Sequence, residues 1–149
     1  MNQNLDHPYR ALRVTYGLVP LLAGLDKFTN LLTNWTHYLS PLVARLLPFS
    51  AAIFMRAVGV VEILVGLLVL GLKPRLGAVI AAVWLCAIAV NLVTLGYFDI
   101  AVRDLAMAVG AYTLYALDRA RAVEHERALE PAAVRRTARS TEDARAPLA

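Results

Sequence analysis

Long apolar runs separated by short polar interruptions make up most of the chain, and the runs share nearly one length. Apolar residues dominate 11–32, 51–72, 76–95 and 100–117, broken only by isolated polar positions. Runs of roughly 18–22 residues suit helices that cross about 30 Å of hydrocarbon at 1.5 Å per residue. Lys73-Pro74-Arg75 makes a tight turn between the second and third runs, and Gly96 closes the third. Pro20 lies inside the first run and should kink it, which a membrane helix tolerates when neighbours satisfy the freed carbonyl. The pattern predicts an all-α fold, a four-helix transmembrane bundle.

One connection is long. Residues 33–50 read TNWTHYLSPLVARLLPFS. Ser40-Pro41 supplies an N-cap and a first turn, so Leu42–Leu47 is expected as a short interfacial helix that Pro48 stops. Trp35 and Tyr38 suit the headgroup level. Residues 1–9 are polar and read as a loosely ordered N-terminal arm, and 10–117 as the membrane domain. Beyond Leu117 the chain becomes rich in Ala, Arg and Glu. Asp118–Glu130 should prolong the last helix to Pro131, and 131–149 has the composition of a disordered basic tail.

Composition supports the membrane reading. Of 149 residues, 59% are hydrophobic and 17% charged, where a soluble domain carries about 45–50% and about a quarter. The net charge is +4, but the basic residues flank apolar runs rather than forming a phosphate-binding face, so nucleic acid is not an expected partner. Arg10, Arg13, Lys73, Arg75 and the tail fall on one side of an alternating four-helix chain, opposite Arg45, which places both termini in the cytoplasm. Arg10 and Arg13 before an apolar stretch mimic a signal peptide, yet no small-x-small cleavage site follows, so the first run is read as a retained helix. The single cysteine, Cys86, forbids an intramolecular disulfide. His7 and His37 lack partners at metal-ligand spacing, and no metal site is expected.

Polar groups inside the runs carry the candidate chemistry. At 1.5 Å per residue, Asp26, Arg56, Asn91, Arg103 and Asp104 all lie about 6–9 Å below one hydrocarbon boundary. Lys27 adjoins Asp26, so four helices contribute to one polar layer. Glu62 lies deeper, about 16 Å in. Gly59, Glu62 and Gly66 share one helix stripe, and the glycines allow close approach by another helix, so Glu62 should face the interior. Unpaired and ionised, it would cost about 2.5–3.5 kcal/mol on insertion scales. Glu62, Arg103 and Asp104 are the candidate catalytic groups; Asp26, Lys27, Arg56 and Asn91 are the candidate ligand contacts. The bland alternative stands beside this. Three acids (Asp26, Glu62, Asp104) balance three cations (Lys27, Arg56, Arg103), Asp99 and Arg103 are spaced for a helical ion pair, and such a network could serve only to fix helix register. Asn91 alone most often bridges helices, and Cys86 fills space.

Three motifs resemble those of the DoxX-like membrane proteins. Gly24-Leu25-Asp26-Lys27-Phe28 is similar to a G-x-x-K-aromatic signature, Gly59-x-x-Glu62-x-x-x-Gly66 to a second-helix pattern, and Asp99-x-x-x-Arg103-Asp104 to a fourth-helix motif of one branch. The resemblance spans roughly residues 10–120. It implies a four-helix protein of the bacterial inner membrane, with relatives that are membrane subunits linked to sulfur-compound oxidation and quinone reduction or partners of redox and detoxifying enzymes. Relatives that support disulfide chemistry use cysteine pairs, which this chain lacks.

Three functions fit these residues. A quinone-linked membrane subunit would need an apolar slot, donors such as Arg56 or Arg103, and proton carriers such as Glu62 or Asp104; no redox cofactor is recognisable, so electrons would come from a soluble redox partner or another subunit. A non-catalytic scaffold needs only the charge network. A proton-coupled carrier would need a homo-oligomer to supply enough helices.

Overall fold

The computed structural model describes residues 3–129. The first helix, α1, spans Gln3–Thr29 and runs through Pro8 and Pro20 without interruption. The loosely ordered arm expected over residues 1–9 is instead helical from Gln3. Its side chains have partners: Asp6 pairs with Arg121 at 2.8 Å, and the Tyr9 hydroxyl donates to Asp118 at 2.9 Å. Helix α1 stops where Asn30 turns left-handed, with φ 52°, a conformation asparagine tolerates better than most residues. A 3₁₀ turn, Trp35–Tyr38, and the short helix α2, Pro41–Leu46, follow. Ser40 caps α2 by accepting from the Leu42 amide, with Pro41 in its first turn.

Helix α3, Ala51–Leu67, continues into a π-helical turn at Leu68–Leu72. Such a turn takes carbonyls out of the regular ladder, and here Arg13 supplies donors, to Val69 O at 3.0 Å and Leu70 O at 2.6 Å. Helix α4, Pro74–Thr94, opens on a proline in its first turn. It closes at Gly96, with φ 80°, where the Gly96 and Tyr97 amides return to Val93 O and Leu92 O. Helix α5 runs from Phe98 to Leu129, so it continues well past the apolar run. The expected tail, 131–149, lies outside the described residues. No strand occurs among the described residues, and the predicted all-α membrane bundle is the fold observed.

The long helices pack chiefly as two antiparallel pairs, α1 with α3 and α4 with α5. Glycine sets the first pair. A Cβ on Gly24 would sit 2.6 Å from Gly59 O, and one on Gly66 would sit 2.6 Å from Gly17 O, so the backbones approach as closely as only glycine permits. The second pair meets through small residues, among them Ala89 with Ala101 and Ala81 with Ala111. The pairs join at the end of the bundle where α1 begins, and there Tyr9, Val69, Ala78 and Leu114 form one buried cluster. Among the described residues three helices are long and apolar enough to cross a membrane: α3 with its π turn, α4 and α5. Helix α1 is not among these three.

Candidate functional site

Glu62 does not stand alone. Lys27 Nζ lies 2.6 Å from Glu62 Oε2, and both side chains are over nine-tenths buried. The pairing follows from the glycine register. Gly24 faces Gly59, and each charged residue lies three positions further along its own chain. Side chains lean toward the N-terminus of their helix, and because α1 and α3 are antiparallel, Lys27 and Glu62 lean toward each other. The Trp35 ring covers the ammonium at 3.6 Å from its centroid, a cation–π contact.

Asp26 serves the loop. Its carboxylate accepts from the Leu31 and Leu32 amides, from Thr29 Oγ1 at 3.2 Å and from Trp35 Nε1 at 2.8 Å. It therefore holds the aromatic lid over Lys27. Asn91 pins the other side of the same loop, donating to Tyr38 O at 2.6 Å and accepting from the Ser40 amide at 3.0 Å. Both residues act on the connection that roofs the space between the helix pairs.

Helix α5 contributes Asp104, buried, with Arg103 beside it at 3.6 Å. The Arg103 side chain is 66% exposed, so the ion pair leaves Asp104 with a partner that faces outward. Arg103 thus pairs with Asp104 rather than with Asp99 one helical turn earlier. Asp104 also lies within electrostatic reach of Glu62. Tyr16 crosses from α1 to donate to Met107 O at 2.6 Å, and Gly110 leaves room for its hydroxyl.

These groups border one cavity of about 680 Å³. All four long helices and the loop contribute to its walls, which are mainly apolar, with Lys27, Glu62, Trp84, Asn91, Arg103 and Asp104 as polar points. Five of the seven candidate residues thus meet at one space. Asp26 stands behind the Trp35 wall. Arg56 is exposed on α3 and lies outside the lining. Among the described residues no group of three His, Cys, Asp or Glu is placed to hold a metal ion.

A family model, DoxX, matches residues 10–95, from α1 through α4. The chain belongs to the DoxX family. No curated protein and no solved structure matches it. The DoxX match includes the Lys27–Glu62 pair, the glycine register and Asn91, whereas Arg103 and Asp104 lie beyond it.

Two features of this DoxX chain were not visible in the sequence pattern. Trp84 lines the cavity, and its buried indole N–H has no hydrogen-bond partner among the described residues. The available signal was a donor-only side chain in the middle of an apolar run, which needs an acceptor when buried. At the opposite end, Arg13 and Arg75 read as topology signals. Arg13 also caps the π turn, and Arg75 donates to Asp118 at 3.1 Å, beside the Tyr9 hydroxyl bound to the same carboxylate.

Chemically, the arrangement offers an apolar slot for a ring or short chain, a neutralised acid–base pair in its wall, and a second acid that faces it. Such a space can orient an amphipathic molecule and exchange protons with it.

Proposed function

We propose that the chain is a subunit of the bacterial inner membrane that binds a quinone-class molecule between its helix pairs and supplies protons for its reduction. Two electrons would come from a soluble redox partner and two protons through the cavity acids, converting both quinone carbonyls to hydroxyls. One observation carries this reading: an apolar cavity of about 680 Å³ with a buried Lys27–Glu62 pair and buried Asp104 in its wall. The DoxX family, with relatives linked to quinone reduction, agrees with it.

In this reading α1 is a fourth membrane span. Val14, Leu18, Leu22 and Leu25 form an exposed apolar stripe on α1, the face a lipid-contacting helix presents. Arg10, Arg13, Lys73 and Arg75 gather at the end where α1 begins, and in this reading that end faces the cytoplasm.

A non-catalytic scaffold is the second reading. It is favoured by the mutual neutralisation of Lys27 and Glu62 and by the loop donors that occupy Asp26. Native mass spectrometry of the protein extracted gently from its own membrane separates the two. A quinone-mass adduct or a co-purifying oxidoreductase supports the redox reading. The double variant Lys27→Met/Glu62→Gln, which removes both charges together, should then keep the adduct and lose quinone reduction. A homo-oligomer carrying only phospholipid would overturn the redox reading in favour of the scaffold.

A further inference from the structure

Trp84 carries a buried polar atom that has no well-formed hydrogen bond among the described residues. The indole N–H is fully shielded and lacks a partner among the described residues. The indole N–H comes close enough to the Glu62 carboxylate to act on it as a weak donor, but without good hydrogen-bond geometry, and Glu62 Oε2 is already held by Lys27 at 2.6 Å. A buried donor left unsatisfied is costly, and natural interiors rarely keep one without a role. Because Trp84 lines the cavity, the missing acceptor can come from a bound molecule.

The neighbouring charges restrict what that molecule is. An indole nitrogen only donates, so the ligand must present an acceptor oxygen. Lys27 is already neutralised by Glu62, and Asp104 adds a second acid with its arginine turned outward. A further anion at this depth would meet two carboxylates, while Lys27 and Arg103, the cations among the described residues that line the cavity, are already paired with them, which disfavours a carboxylate or phosphate. A neutral carbonyl satisfies the donor without adding charge. The aromatic and aliphatic wall around Trp84, including Tyr16, Leu85 and Ile88, suits a ring carrying that carbonyl.

We infer that Trp84 Nε1 is the docking point for a carbonyl oxygen of the cavity ligand, and that the acids Glu62 and Asp104 around it favour a neutral ring carbonyl over an anion. This rests on the quinone reading above and adds the contact that orients the ring.

The chain has two tryptophans, which provides an internal control. Trp35 Nε1 is already bonded to Asp26 at 2.8 Å. In ¹⁵N-labelled protein, decylubiquinone should move the Trp84 indole N–H resonance downfield and leave that of Trp35 nearly in place. Trp84→Phe keeps an aromatic filler and assigns the signal; it should weaken decylubiquinone binding about five- to tenfold, the effect of one hydrogen bond. Infrared spectra of the bound quinone should show one carbonyl band shifted to lower frequency in the wild type and not in the variant. Saturable quinone binding with an unmoved Trp84 resonance would overturn this assignment and leave the quinone reading standing. No binding by the wild type would overturn both. The wild-type spectrum decides the matter even if the variant fails to fold.

Discussion

Lys27 and Glu62 close a 2.6 Å ion pair between α1 and α3, under the Trp35 ring and almost out of solvent reach. Breaking one side of such a pair leaves an uncompensated buried charge, which costs about 3–5 kcal/mol. Lys27→Met and Glu62→Gln should therefore each lower stability by that order, measured by unfolding in mixed micelles. Lys27→Met with Glu62→Leu should recover most of the loss, because two desolvated charges leave together. A loss in the double variant equal to the sum of the two single losses would show that the pair does not act as a unit.

The glycine contacts set the distance across which that pair forms. Gly59→Val places side-chain carbon against Gly24 O, where even a Cβ would stand at 2.7 Å. Overpacking of this kind costs about 1–3 kcal/mol, and it should also separate Lys27 from Glu62. The effect should shrink when both charges have already been replaced by apolar side chains. Gly71 provides the contrast, since a Cβ there would meet nothing within 4 Å. Gly71→Ala should be neutral or slightly stabilising. Similar melting shifts at Gly59 and Gly71 would remove the argument for register.

Asp26 gives a separable prediction because its partners are local. Asp26→Ala releases the Leu31 and Leu32 amides and the Trp35 indole together. Hydrogen bonds to a charged acceptor are each worth about 1.5–3 kcal/mol, so exchange of the Leu31 and Leu32 amides should accelerate about ten- to hundredfold. The Ser40 amide, held by Asn91, should change little. Uniform acceleration across the loop would mean that Asp26 and Asn91 do not anchor it independently.

How much of this was legible before the structure varies with the kind of signal. Run lengths and the Ser40-Pro41 cap carry local information, so the helices and the short α2 could be read directly. Gly59, Glu62 and Gly66 announced a close-packed stripe, but not its partner. That partner was encoded in the equal spacing of Gly24 to Lys27 and Gly59 to Glu62, which becomes meaningful only once the helices are known to be antiparallel and in contact. Depth alone grouped Arg56 with the layer, although depth fixes height in a helix and not the direction around it; Arg56 faces outward on α3. Asp26 and Asn91 were read as candidate ligand contacts, and their use by loop amides could not be foreseen because the loop path has no periodic signature. Trp84 sat inside an apolar pattern and was absorbed by it.

The opposite end of the bundle yields a pH-dependent prediction. Tyr9 donates to Asp118, which also accepts from Arg75, and Arg121 lies over the Tyr9 ring at 4.1 Å. Burial, reinforced by the bond to Asp118, raises the Tyr9 hydroxyl above its ordinary 10.0. The folded chain thus holds this proton more tightly than the unfolded chain. Its contribution to stability is fully present below 10.0 and is lost as pH rises from there through the folded value. Tyr9→Phe keeps the ring under Arg121 and removes the hydroxyl, so the wild type should be more stable by about 1 kcal/mol at neutral pH. That advantage should narrow as pH climbs past the ordinary tyrosine value, because only the wild type then gains an ionised phenolate on unfolding. Paired thermal melts of the two proteins across that range provide the measurement. Melting curves that fall in parallel would show that the Tyr9–Asp118 contact does not hold α1 to α5 in solution.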